Sequence, residues 1–125
     1  RGLPDALRAA AGRAALGTEV EADGIGRYPQ AVEAAVYFCC LEALQNAGKH
    51  AGEHAHATVT VREVEGALVF EIADDGSGFD MSSGAQRGHG LVNMNDRVGA
   101  FGGSVTVDAA LGGGTRISGR IPLGD

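Results

Sequence analysis

Tryptophan is absent from this chain of 125 residues, and the other aromatics are few, with two Tyr and four Phe. A core must therefore be packed mainly by Ala, Val, Leu and Ile, and the 44% hydrophobic content is enough to build one. No apolar run approaches the roughly 20 residues that a membrane span needs, and there is no signal sequence. Only two cysteines occur, Cys39 and Cys40. They are neighbours in an apolar run, and on a helix neighbours point in different directions, so a mutual disulfide is not expected. They read as small buried side chains in a reducing, cytoplasmic setting. Basic residues are outnumbered, 10 against 16 acidic, for a net charge of −6. That balance argues against nonspecific binding of DNA or RNA. A nucleotide ligand needs only local cations, backbone donors and a metal, and stays open. The phosphate loop of P-loop enzymes, the dinucleotide fingerprint of Rossmann folds and a nucleophile elbow are all missing.

Glycine is abundant instead, at 21 residues, clustered between Gly76 and Gly119. The length suits one domain over 1–125, with no internal repeat and no linker. The opening Arg1-Gly2-Leu3-Pro4 reads as a piece of a longer protein. Pro4 to about Gly17 reads as an Ala-rich helix, and Thr18–Ala22 as a short strand. The apolar run from Ala31 reads as a long buried helix ending near His50 or Ala51. Ala57–Val64 and Ala67–Ala73 alternate in the manner of strands, with a tight turn at Glu65-Gly66. Leu91, Met94 and Val98 have helical spacing, so a helix is expected from about Gly90 to Ala100. Two strands, Ser104–Asp108 and Thr115–Ile121, follow on either side of Gly112-Gly113-Gly114. The expected fold is α+β, a two-layer sandwich of a mixed, largely antiparallel sheet with helices on one face.

Four constellations stand out. Glu42 and Asn46 interrupt the long apolar helix and share one face, one turn apart. A buried charge requires compensation, and two oxygen ligands aimed together suit a hard cation such as Mg²⁺. Lys49 and His50 extend this face toward a phosphate; they would equally suit a helix C-terminus turning to solvent. Asp74-Asp75-Gly76-Ser77-Gly78 follows a strand, where glycine allows close backbone approach. A carboxylate there accepts a hydrogen bond from an exocyclic amine such as that of adenine; a plain Asp/Gly turn is the alternative. Gly88-His89-Gly90-Leu91 leads into a helix whose N-terminal N–H groups suit phosphates. Met81–Arg87 before it reads as a short lid, with Arg87 in reach of a phosphate. Gly112-Gly113-Gly114-Thr115 closes the set: it reads as a plain hairpin turn or, functionally, as placing the Thr115 hydroxyl near the base-binding Asp. His50, His54 and His56 read as a solvated loop rather than a zinc site.

In this order, the four motifs resemble the catalytic ATP-binding domain of sensor histidine kinases, in the superfamily of gyrase, heat-shock chaperone and mismatch-repair ATPases. Glu42–Ala51 looks like its N box, Asp74–Gly78 its Asp-x-Gly-x-Gly box, Gly88–Leu91 its second glycine box and Gly114-Thr115 its closing pair. Asn46–Ala51 and Gly88–Val98 look closest to the bacterial kinases that partner response regulators of the helix-turn-helix type. The resemblance implies ATP and Mg²⁺ as ligands. Asn46 would hold Mg²⁺ and Asp74 the adenine amine. Gly76 and Gly78 would shape that pocket, Gly88 and Gly90 would frame the phosphates, and Thr115 would support the adenine. Glu42 corresponds to the water-activating base of the hydrolysing relatives. None of the four His resembles a phospho-acceptor, so that group lies on a dimerisation domain outside this chain. The implied parent is a homodimer, membrane-anchored or not, acting on a response regulator, and this domain a monomer without direct nucleic-acid contact. An anti-sigma-factor serine kinase and a non-catalytic ATP-binding switch are the alternatives.

Overall fold

A computed structural model describes residues 2–50, 55–76, 88–109 and 112–124. The chain alternates helices and strands: α1 (Gly2–Arg13), β1 (Gly17–Glu21), α2 (Gln30–His50), β2 (His56–Val64), β3 (Ala67–Asp74), α3 (Gly88–Gly99), β4 (Ser104–Ala109) and β5 (Thr115–Pro122). The strands form one sheet in the order β1-β2-β3-β5-β4. β1 lies parallel to β2, as a strand-helix-strand crossover allows. The remaining three pairings are antiparallel. The mixed, largely antiparallel sheet is thus the expected one.

Alternation sets the two faces. Val59, Ile72 and Ile117 fall in one row across β2, β3 and β5, and Val61, Phe70 and Gly119 in the next. All are buried. The Phe70 ring lies directly on Gly119, where a Cβ would stand 2.1 Å from its Cζ. The opposite face is polar, with Thr58, Thr60, Glu71, Arg116 and Ser118 on it, and Arg116 Nε meets Glu71 Oε2 at 3.1 Å. A single-sided antiparallel sheet of this kind needs cover on its apolar face only. The helices supply it. α2 lies over the sheet centre, with α1 beside β1 and α3 beside β4.

Helix α2 buries Val32, Val36, Cys39, Cys40, Ala43 and Ala47. It is not buried all round, as its apolar run suggests: Tyr37, Phe38, Leu41 and Glu42 are half-buried, and Gln45 and Lys49 exposed. The flanking helices cover its sides rather than its outer face. The buried carboxylate of this helix is Glu33, not Glu42. Glu33 is 8% exposed. It accepts hydrogen bonds from Arg27 Nε at 3.0 Å, Arg27 Nη2 at 3.2 Å and the Tyr28 backbone N at 3.1 Å. The Arg27 hydrogen bonds hold its carboxyl below the ordinary range against the opposing effect of burial. This clamp ties the incoming loop to the first turn of α2. Burial pushes the Cys39 thiol up to about 12 and the Cys40 thiol upward as well. Both cysteines are free.

The hairpin between β2 and β3 turns on Glu65 and Gly66, with φ of 50° and 78°. Two positive φ values match the twist of the strands they join. Helix α1 starts at Gly2 and stops at Arg13, four residues before the expected Gly17. Among the described residues, no helix is long and apolar enough to cross a membrane.

Candidate functional site at the sheet end beneath α2 and α3

Strand β3 presents Leu68, Phe70, Ile72 and Asp74 to the helices, since alternate residues share a face. Asp74 is thus the polar end of an apolar row. Its register partners are Ala57 on β2 and Thr115 on β5. Thr115 shares the inward parity of Ile117, Gly119 and Ile121, so Asp74 and Thr115 stand side by side on the helix-facing side. Asp74 Oδ1 accepts a hydrogen bond from the Gly76 backbone N at 2.9 Å. Its Oδ2 has no hydrogen-bond partner among the described residues. Gly114 packs so closely that a Cβ on it would stand 2.2 Å from the Asp74 carbonyl oxygen, and its φ is +78°. Only glycine fits there.

Asp75 does different work. Its Oδ1 accepts from the His56 backbone N at 2.7 Å, and its own N donates to the His56 carbonyl at 3.1 Å. That carboxylate fastens the start of β2 to the end of β3. Of the two adjacent acids, Asp74 faces the helices with an oxygen to offer, and Asp75 is engaged in the scaffold.

The second wall comes from α2 and α3. The Arg97 guanidinium stacks over the Phe38 ring, 4.2 Å from its centroid. One residue on, Cys39 Sγ lies 3.9 Å from the Met94 carbonyl oxygen. These contacts run α3 back along α2. Asn46 lies eight residues past Phe38, about 12 Å along the axis, and Leu91 lies six before Arg97, about 9 Å in the same direction. Asn46 therefore comes beside the N-terminal turn of α3. Glu42 belongs to the same flank, since it lies four residues past Phe38 and is turned only about 40° from it around the helix axis. Glu42 and Asn46 are half-buried, with about 40° between them around the helix axis.

Helix α3 begins at Gly88, so Gly88, His89, Gly90 and Leu91 form its first turn rather than lead up to it. The free N–H groups of that turn lie at the positive end of the helix. Lys49 occupies the last turn of α2, between the flank of Asn46 and a groove of ≈ 420 Å³ toward α1, which Lys49 also lines with Leu41, Leu44 and Gly48. His50 ends the same helix. Gly78, Arg87 and the expected lid over Met81–Arg87 lie outside the described residues, as does His54.

The structure thus brings together Asp74, Gly76, Gly114 and Thr115 at the sheet end, and sets Glu42 and Asn46 on the flank of α2 that faces α3. Among the described residues, no three His, Cys, Asp or Glu side chains converge as a metal cage. The oxygen donors present are the Asn46 amide and the Glu42 carboxylate. Such a pair fits Mg²⁺, which keeps several waters and takes one or two side chains together with substrate phosphates.

Comparison with known proteins gives this geometry its context. Residues 31–125 match the family of histidine kinase-, DNA gyrase B- and HSP90-like ATPases. The chain belongs to that family. It is 35% identical over 97 residues to the signal transduction histidine-protein kinase/phosphatase DegS of Brevibacillus brevis, a match covering 78% of this chain and 25% of DegS. It is 34% identical over 94 residues to DegS of Bacillus subtilis strain 168, covering 73% and 24%. The chain thus spans about a quarter of the length of these relatives. Its fold is that of the histidine kinase domain of the Erythrobacter litoralis EL346 blue-light activated kinase, with a TM-score of 0.75 at 24% identity over 96% of this chain and 57% of that one. The mycobacterial sensor histidine kinase MprB gives 0.70 at 21% identity over 96% and 92%.

Asn95, which sequence reading passed over, joins α3 to the edge strand β4.

Proposed function

We propose that this chain is the ATP-binding catalytic domain of a two-component sensor histidine kinase. The observation that carries the reading is Asp74, an inward-facing acid at the end of an apolar row, across from Thr115 on the face that the helices cover. The adenine exocyclic amine donates to Asp74 Oδ2, while the Gly76 N–H holds Oδ1 and with it the carboxylate plane. Thr115 supports the adenine end, and Gly114 leaves room for the strand end to close on Asp74. Gly78, assigned from the sequence motif, would shape the same adenine pocket.

The triphosphate extends toward α3. Backbone N–H groups of Gly88, His89, Gly90 and Leu91 receive its oxygens at the positive end of the helix. Asn46 would hold Mg²⁺, which would supply charge neutralisation at the phosphates. Lys49 and His50 at the end of α2, and Arg87 ahead of α3, add cationic and hydrogen-bonding groups. Glu42, one turn from Asn46, would orient a water beside it. Little covalent work falls to these groups, so positioning and charge stabilisation dominate. The γ-phosphoryl group leaves ADP for an imidazole nitrogen on a dimerisation and phospho-acceptor domain outside this chain. The longer protein is a homodimer that passes the group to a response regulator.

The test mixes this chain with a separately prepared acceptor domain and γ-labelled ATP. Acid-labile label on histidine is the expected outcome. Acid-stable label on serine, or no transfer from a chain shown to bind ATP, refutes the assignment.

A further inference from the structure

Strand β4 is an edge of the sheet, paired on one side only with β5. Its outward backbone groups need partners or water. At Val105 they are taken by one side chain. The Val105 N donates to Asn95 Oδ1 at 2.9 Å, and Asn95 Nδ2 donates to the Val105 carbonyl at 3.0 Å. The amide of Asn95 thus acts as a one-residue strand, offering an acceptor and a donor side by side. The same Nδ2 lies 3.4 Å from the Leu91 carbonyl, one turn back. Asn95 is half-buried and sits beside Met94, which is 1% exposed.

The connection from α3 to β4 is equally constrained. The Gly103 N donates to the Val98 carbonyl at 2.9 Å, and a Cβ on Gly103 would stand 2.2 Å from the Arg120 carbonyl oxygen. Helix α3 is therefore held to the sheet at its C-terminal turn by glycine packing and at its middle by the Asn95 amide. Ahead of Asn95, Leu91 packs against the core and the Met94 carbonyl lies 3.9 Å from Cys39 Sγ; among the described residues, Asn95 is the side chain nearest Gly88 that hydrogen-bonds α3 to the sheet edge.

We propose that Asn95 is a positioning residue for the phosphate end of the site: its amide, clamped on Val105 and touching the Leu91 carbonyl, sets where the first-turn N–H groups of α3 point. This rests on the nucleotide reading above. Asparagine is required because the clamp needs a donor and an acceptor on adjacent atoms. Aspartate keeps the shape but sets a second acceptor against two carbonyl oxygens. A helix start displaced by a fraction of an ångström aims its N–H groups away from the phosphates, and misplacement near 1 Å costs on the order of a hundredfold.

The test uses ATP·Mg²⁺ titrated calorimetrically into the wild-type chain, Asn95→Asp, Asn95→Ala and Val20→Ala, with folding checked by circular dichroism. Val20→Ala weakens the opposite edge of the sheet and controls for lost stability. Both Asn95 variants are expected to bind about tenfold more weakly while folded, the effect of roughly one lost hydrogen bond, and Val20→Ala to bind as wild type does. Folded Asn95 variants with wild-type affinity overturn the proposal. Hydrogen exchange gives a readout independent of nucleotide. Amides of Leu91 to Asn95 should exchange faster in Asn95→Asp with β2 and β3 unchanged; identical protection overturns it. Should neither variant fold, the side-chain NH₂ signals of Asn95 in the wild-type chain must shift on adding ATP·Mg²⁺, and signals that stay in place overturn it. A wild-type chain that binds no ATP sinks the nucleotide reading itself, and the exchange data then decide whether Asn95 positions α3.

Discussion

Replacing Gly114 by alanine tests how tightly the end of β5 closes on Asp74. Two costs arise. The first is conformational: φ is +78°, and an L side chain in that region costs roughly 1–2 kcal/mol. The second is steric: the new Cβ would lie 2.2 Å from the Asp74 carbonyl oxygen and 3.2 Å from its carbonyl carbon. Those are backbone atoms in a paired strand, with no rotamer to yield, so the strand end must move by more than 1 Å toward an ordinary contact of about 3.5 Å. Overpacking of this order adds about 1–3 kcal/mol. The expected loss is about 2–5 kcal/mol in urea unfolding. Gly112→Ala is the matched control, because Gly112 has φ of +76° with nothing within 4 Å. It should lose only the conformational share. The difference between the two variants isolates the close approach. Equal destabilisation of both would refute the packing argument, and Gly114→Ala with wild-type ATP affinity would separate this contact from the site.

Other outcomes follow from particular groups. Glu33→Gln should lower stability at pH 7 by about 1–3 kcal/mol, since hydrogen bonds to a charged group are lost while Arg27 stays exposed to solvent. The Glu33 pKa is depressed from its ordinary 4.5, so its stabilisation is complete above that value and lost as pH falls through the folded value. The gap between wild type and Glu33→Gln should therefore close in acid; a constant gap from pH 7 to pH 3 refutes the linkage. Cys39, with its thiol pushed up to about 12, and Cys40, also raised by burial, should not react with a thiol reagent at pH 8 until urea is added. Prompt reaction of the native chain contradicts their burial. Asn46→Ala should remove most of the Mg²⁺ dependence of ATP binding, read by calorimetry with and without the metal. An unchanged metal requirement takes Asn46 out of that role.

Much of the architecture is written in alternation. β2, β3 and β5 are legible because Val59, Val61, Phe70, Ile72, Ile117 and Ile121 recur at every second position. The same alternation carries through Asp74, and it alone distinguishes Asp74 from Asp75. Other features depend on contacts distant in sequence. The apolar run of α2 hides its half-open side, because Tyr37, Phe38 and Leu41 look like core residues until Arg13 and Arg97 are seen beside them. Arg13 Nη2 reaches the Tyr37 hydroxyl at 3.4 Å. Nothing local in the sequence marks the bidentate pairing of Glu33 with Arg27 across a proline. The start of α3 fell two residues early because glycine lowers helix propensity, whereas tertiary contacts with α2 and β4 hold the helix together. Asn95 lies within the Gly88–Val98 stretch, yet nothing there singles it out; its role appears only when β4 lies alongside.

The central claim is that the inward acid at the end of β3 selects a purine nucleotide. Calorimetric titration of ATP·Mg²⁺ into wild type and Asp74→Asn tests it most directly, with circular dichroism to show that both are folded. Binding to wild type, with at least a tenfold loss in Asp74→Asn at unchanged fold, is the result expected from one charge-assisted hydrogen bond to the adenine amine. Equal affinity in the two chains would contradict the account.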